Sequence, residues 1–263
     1  MDDRLIIESK RLRRSNNSRS WSLMPDRPPL GTKDVHIWRV SLEQPRATIQ
    51  QLRQLLSLDE QARGDRFHFE SDRQHFVVAR GCLRTLLARY LEIAPTKIQF
   101  SYVPHGKPRL ATSTSPAQRL NFNLAHSGGF ALYAFTQVGE VGVDLEQVRP
   151  ELTGDDIARR FFSSNEVARL TNLPAALRHE AFFNCWTRKE AFIKGKGIGL
   201  SLALDQFDVT LAPTEPTMLL RTRWDETEAS RWSLETIDVG PGYVAAVAVA
   251  GHDWQLTCFG LQV

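Results

Sequence analysis

The chain has 263 residues, a net charge of +3 and 42% hydrophobic residues, enough to bury the core of one large domain or two modest ones. No apolar run approaches bilayer length, no secretory leader opens the chain, and Cys82, Cys185 and Cys258 are scattered without C-x-x-C spacing. No helical membrane span, disulfide framework or zinc site is implied, and a soluble, cytoplasmic protein with buried reduced thiols is expected.

Residues 1–33 gather Lys10, Arg11, Arg13, Arg14 and Arg19 among serines and asparagines ahead of Pro25, Pro28 and Pro29, the composition of a disordered basic tail. No folded basic surface accompanies it, so no nucleic-acid partner is expected. A strand is predicted over 35–40, then a helix over 45–56 from the spacing of Ile49, Leu52, Leu55 and Leu56. A longer helix over 72–90 precedes strands over 98–102 and 120–124, and a hairpin of 131–136 with 141–145 turning through Gly139. Helices over 153–160, 163–170 and 174–194 come next, the second opened by a Ser163/Glu166 capping box. Strands over 207–211, 231–236, 243–250 and 255–259 complete the chain. Helices followed by antiparallel strands thus occur twice, which predicts an α+β fold of two similar halves, 34–140 and 141–263. Each half should pack helices on a small, largely antiparallel sheet, with a ligand cleft between them.

Four segments carry chemistry. In the helix predicted over 174–194, Trp186, Glu190 and Lys194 recur at i, i+4 and i+8, so a carboxylate and an ammonium share a face; alone, this is an ordinary helix ion pair. In the apolar run 141–146, Asp144 and Glu146 alternate, so a strand there presents two carboxylates to one side, a donor set that suits magnesium completed by water and phosphate oxygens. Residues 121–129 alternate toward Asn123, His126 and Ser127 and then a Gly-Gly turn, placing a histidine at a strand end where it can donate to phosphate. His105, Gly106, Lys107 and Pro108 form a tight turn bearing one cation.

Taken in order, Gly106-Lys107-Pro108, Asn123 to Ser127, Gly142 to Glu146 and Trp186 to Lys194 resemble the 4'-phosphopantetheinyl transferase superfamily, whose pattern is G-K-P, N-x-x-H-S, G-[IV]-D-x-E and W-x-x-K-E-A-x-x-K. The resemblance runs from about residue 35 to the C-terminus and favours the large, broad-specificity type that activates surfactin synthetase, with both halves in one chain related by a pseudo-twofold axis. It implies a monomer that transfers the phosphopantetheine arm of coenzyme A to a serine of apo acyl, peptidyl or aryl carrier proteins, leaving adenosine 3',5'-bisphosphate. It also implies a Mg2+ ion on Asp144, Glu146 and Glu190, with Glu190 as candidate base and Lys194 neutralising phosphate. Coenzyme contacts are expected from Arg63, Lys107, Pro108, Asn123, His126, Lys189 and Lys194, whereas Arg188 and Lys196 are expected to face solvent. The chain departs from relatives at Glu60, where they place a lysine, at His75, where they place an arginine, and at Ala125, where many carry serine; Arg80 is the candidate replacement cation. Other readings of the same carboxylates are a Mg2+-dependent phosphate-ester hydrolase and a noncatalytic coenzyme- or carrier-binding module.

Overall fold

The computed structural model describes residues 21–23, 29–102, 106–111, 120–149 and 154–263. The basic cluster at 10–19, His105 and Thr153 lie outside them. After β1 (Ser22–Leu23), the chain runs through β2 (Asp34–Ser41), helices α1 (Arg46–Leu55), α2 (Leu58–Gly64) and α3 (Glu70–Leu91), the short hairpin β3 (Phe100–Tyr102) and β4 (Pro108–Leu110), then β5 (Asn121–Ser127) and β6 (Phe130–Thr136). The same order follows again: β7 (Val141–Gln147), helices α4 (Asp155–Phe161), α5 (Ser164–Asn172) and α6 (Ala175–Lys196), the hairpin β8 (Phe207–Val209) and β9 (Leu219–Thr222), then β10 (Trp232–Thr236) and β11 (Tyr243–Ala250). Strand β12 (Gln255–Gly260) ends the fold. Among the described residues no helix is long and apolar enough to cross a membrane.

Local chemistry accounts for the helix ends. Pro45 and Pro174 stand at the N-caps of α1 and α6, where a missing N–H costs nothing. Serine capping boxes open both α2 and α5: the Ser57 and Ser163 backbone N–H groups donate to Glu60 Oε2 (3.1 Å) and Glu166 Oε2 (3.0 Å). Helix α6 stops at Gly197, whose φ of +71° provides the left-handed cap.

The strands form a five-stranded sheet ordered β1-β12-β2-β6-β5 and a three-stranded sheet ordered β10-β11-β7. The hairpin expected between β6 and β7 is not made. Strand β6 is buried along its length and pairs with β2 and β5, and the two-residue turn is Gly128–Gly129, with Gly128 at φ +55°. The segment through Gly139 crosses from one sheet to the other, and β7 pairs with β11. Strand β12, which the sequence assigns to the second half, hydrogen-bonds in parallel to β2 of the first sheet. The two sheets pack face to face through Val35, Ile37, Leu132 and Ala134 on one side and Val143, Leu145, Val247 and Val249 on the other. Helix α3 covers the outer face of the first sheet and α6 that of the second, which gives four layers and an α+β architecture.

Each long helix carries a buried cation that ties the capping-box glutamate to the turn leading into the following hairpin. In the first half, Arg84 donates from Nε to Glu60 Oε2 (2.6 Å) and from Nη1 to the carbonyls of Pro95 and Ile98 (both 2.9 Å). In the second, Lys189 Nζ lies 2.8 Å from Glu166 Oε2 and donates to the carbonyls of Leu204 (2.7 Å) and Phe207 (2.5 Å). Burial pushes the Glu60 carboxyl up, but Arg80 and Arg84 outweigh it and hold it below the usual range.

A third buried polar group sits on β2. The Trp38 indole donates to the Tyr90 hydroxyl oxygen (2.8 Å), and the same hydroxyl shares a hydrogen bond with His36 Nδ1 (2.8 Å). Burial, opposed by Asp34, lowers the His36 pKa from 6.5 to about 4. The unfolded chain therefore binds the extra proton first, and this histidine's share of stability, present above pH 6.5, is lost as pH falls toward 4, by about 3 kcal/mol in full. Urea unfolding across that window should show a shallower pH slope for His36→Gln than for the parent; equal slopes would refute the assignment.

Candidate functional site

The site begins with a glycine. A Cβ placed on Gly142 of β7 would lie 2.0 Å from the Ala191 carbonyl oxygen and 2.2 Å from the Gly195 nitrogen, so β7 and α6 touch backbone to backbone. Gly195 answers from the helix, with the Trp232 ring 2.7 Å from where its Cβ would be. This contact lays the strand carrying Asp144 and Glu146 along the helix carrying Glu190 and Lys194.

There Lys194 Nζ donates to Asp144 Oδ1 at 2.5 Å, while Asp144 Oδ2 is buried with no hydrogen-bond partner. Burial pushes the Asp144 pKa up to about 7, against the pull of Lys194 and with the help of Glu146 and Glu190. Burial likewise raises Glu190, opposed by Lys194 and reinforced by Glu146. Lys194 is held above its ordinary value, because Asp144, Glu190 and Glu146 overcome its burial. Glu146 Oε2 accepts the Ser127 hydroxyl at 2.9 Å, a contact with a residue to which the sequence motif gives no role of its own. The signal for it is strand periodicity, since Ser127 shares a strand face with Asn123.

Among the described residues no cluster of three or more His, Cys, Asp or Glu is preformed to hold a metal. A smaller donor set is present. Three carboxylates share one ammonium, and the orphaned Asp144 Oδ2 is an acceptor in want of a cation. Two such carboxylates with water and ligand oxygens fit magnesium, which seldom takes an all-protein cage.

Beside this cluster a cleft of about 220 Å³ lies between the halves, walled by Gly106, Lys107, Pro108 and Asn123 from the first and by Ile193 and Lys194 from the second. Lys107 contributes its stem and backbone, since its ammonium turns to Glu140 (3.4 Å) and to the carbonyls of Val141 (3.1 Å) and Gly195 (3.3 Å). His126 stands exposed at the end of β5, and desolvation followed by the fields of Lys194 and His75 keeps its pKa below the ordinary value. His75 itself binds Glu43 at 3.0 Å. On the other side of the acidic cluster, a second recess of about 210 Å³ runs from Glu146 and Arg149 to Phe182, Phe183 and Trp186.

Other expected contacts are placed elsewhere. Lys189 is fully buried in its ion pair with Glu166 and does not reach the cleft. Arg188 is not solvent-facing: it is 2% exposed and donates to the Thr210 carbonyl at 2.6 Å. Lys196 binds Glu228 at 2.5 Å. Arg80 is held by Glu60 at 2.5 Å and by the Tyr102 hydroxyl at 2.9 Å, so it cannot serve as a free replacement cation, and Glu60 is the structural carboxylate of α2. Arg63 is exposed on α2 with its guanidinium 5.7 Å from the Phe76 ring centre, away from the walls of the cleft. Asn123 lines the cleft, yet its Oδ1 accepts the Val143 N–H at 2.9 Å. The sequence misread these groups because a charge buried by its partner looks the same in one dimension as a charge waiting for a ligand.

Comparison with known proteins matches both halves. Residues 140–248 match the family model described as the 4'-phosphopantetheinyl transferase superfamily, and residues 38–137 match one described as 4'-phosphopantetheinyl transferase, N-terminal. The chain is 39% identical over 236 residues to the 4'-phosphopantetheinyl transferase HetI of a Nostoc species, covering 90% of this chain and 96% of that one. It is 36% identical to a putative 4'-phosphopantetheinyl transferase of Synechocystis, over 76% of this chain and 78% of the other. With the 4'-phosphopantetheinyl transferase Sfp of Bacillus subtilis it shares 30% identity over 72% of this chain and 80% of the relative.

The two roles considered for Lys189 separate experimentally. Replacing it with methionine strands Glu166 and two carbonyls in the core and should cost roughly 3–5 kcal/mol in urea unfolding. A Lys189→Met protein of parental stability, with weakened coenzyme A binding by calorimetry, would instead restore Lys189 to the cleft.

Proposed function

This chain belongs to the 4'-phosphopantetheinyl transferase superfamily, and we propose that the cleft between its halves is where the arm of coenzyme A passes to a carrier-protein serine. The enzyme moves 4'-phosphopantetheine from coenzyme A to apo carrier proteins, and its likeness to Sfp fits the broad-specificity type. The observation that carries the assignment of the site is the junction of Asp144, Glu146, Glu190 and Lys194, with one buried Asp144 oxygen unpartnered.

Asp144 and Glu146, with Glu190 directly or through water, are the residues that would hold Mg2+. When bound there, the ion neutralises pyrophosphate charge and stabilises the leaving group. The protein's part is to position and to move a proton, since phosphoryl transfer needs no covalent protein nucleophile. Glu190, raised by burial and by Glu146, suits a carboxylate that takes the serine proton as attack proceeds. Lys194 is the ammonium within reach of phosphate oxygens, and Gly106, Lys107, Pro108 and Asn123 shape the wall for the nucleotide end. His126 at the strand end is the donor for a phosphate, with exposed Arg63 as a more distant cation. Hydrolysis or simple binding by the same carboxylates is not favoured, because the family match spans both halves.

The repeated element order and the matching Glu60–Arg84 and Glu166–Lys189 devices support a pseudo-twofold relation between halves at 34–140 and 141–263, with β12 reaching back. Both walls of the cleft come from one chain, so the proposed site needs no partner subunit to complete it, which fits a monomer.

Incubation with coenzyme A, Mg2+ and an apo carrier should add one phosphopantetheine mass to the carrier; coenzyme loss without carrier modification would indicate hydrolysis instead. Asp144→Ala should lose transfer by at least about 100-fold, and unchanged turnover at limiting Mg2+ would overturn its metal role. Glu190→Gln keeps shape while removing charge and basicity, so coenzyme binding should persist as turnover falls by about 100-fold or more. Parental turnover across pH would remove Glu190 as base.

A further inference from the structure

Strands β5 and β7 are neighbours at the seam between the two sheets, yet no backbone ladder joins them. Two side chains of β5 take its place. Asn123 Oδ1 accepts the Val143 N–H at 2.9 Å, and Ser127 Oγ accepts the Gln147 N–H at 3.1 Å. The donors and acceptors are four residues apart on both strands, so the stitches bracket Asp144 and Glu146. Ala125, midway between them, has no side-chain acceptor to make a third.

The Ser127 stitch does more than join strands. A serine hydroxyl has one proton and two lone pairs. With the Gln147 N–H directed at its oxygen, that proton is free to point along the 2.9 Å contact to Glu146 Oε2. One oxygen of a flexible, half-buried glutamate is thereby tied from the other half of the molecule. The donor also offsets the repulsion that Glu146 shares with Asp144 and Glu190.

We propose that Ser127 is a positioning residue that fixes the Glu146 carboxylate for divalent-cation binding across the seam between the halves; this rests on the reading of the acidic cluster given above. A hydroxyl that orients a ligating carboxylate typically sets metal affinity by about 10- to 100-fold. The loss on removing it should therefore appear in metal affinity, not in turnover once the metal site is filled.

The test uses Mn2+ as the probe, titrated by electron paramagnetic resonance into the full chain with coenzyme A present. Parent, Ser127→Ala, Ser127→Thr, Glu146→Gln and the Ser127→Ala/Glu146→Gln double variant are compared. Ser127→Ala should weaken Mn2+ binding by about tenfold or more with transfer restored at saturating Mn2+, and Ser127→Thr, which keeps the hydroxyl, should recover most of the affinity. In the Glu146→Gln background the alanine change should add little, because the coupled partner is already altered. Parental affinity in Ser127→Ala, or an equal loss in both backgrounds, overturns the inference and leaves Ser127 as a strand fastener alone. A parent chain that binds no Mn2+ with coenzyme A present removes the metal reading itself, and this inference with it.

Discussion

The close approach of β7 to α6 at Gly142 is the constraint on which the site depends. Nothing larger than hydrogen fits there, since the Ala191 carbonyl would stand 2.0 Å from an added Cβ. The approach sets two acidic residues of a strand beside an acidic and a basic residue of a helix, at a spacing that side chains of their length can bridge. It also buries Asp144. A carboxylate in such a place loses solvation that no single partner replaces, which is why Asp144 rises to about 7 although Lys194 touches it.

The contrast with the other buried carboxylates shows what a finished ion pair looks like. Glu166 accepts the Ser163 N–H and the Val209 N–H and faces Lys189, while Glu60 faces two arginines and the Ser57 hydroxyl. Such pairs leave little capacity for a ligand, and their value is to fix the helices against the hairpins. At the seam the count is reversed. Three carboxylates face one ammonium and an oxygen is left over, so the same burial that stabilises the core elsewhere here makes a second positive charge welcome.

Much of this was legible in one dimension. Periodicity placed the long helices to within a few residues, the Ser163/Glu166 box marked a helix start, and alternation put Asp144 and Glu146 on one side of a strand, while the family resemblance brought that strand to Glu190 and Lys194. What periodicity does not encode is partnership. It could not tell that β6 turns back to β5 through Gly128 and leaves β7 to pair with β11, because both pairings alternate equally well. Nor could it see β12 return to β2, a contact between residues more than two hundred positions apart. In the same charge-rich stretch Lys189 reads as a ligand-facing cation and Arg188 as a solvent-facing one, yet both are buried and their partners come from α5 and the segment around Thr210.

The proposed kinship of the halves makes the single site a question of divergence. If Arg84 of α3 is matched with Lys189 of α6 through their shared glutamate and carbonyl contacts, the positions one and five residues later are Thr85 and Arg89 in the first half, and Glu190 and Lys194 in the second. Thr85 spends its hydroxyl on the Gly81 carbonyl, one turn back along its own helix. Beneath α3, β2 contributes Trp38 and Val40 to an apolar cluster where β7 contributes carboxylates. One half thus closed its helix–strand contact as core, and the other left it charged and incompletely paired. The first half still serves the site, through the β5 edge that presents Asn123 and Ser127 to β7, with His126 feeling the charge of Lys194 from the other face of the strand. The proposed catalytic cleft would then draw on both halves, one to hold the charge and the other to hold the strand that carries it.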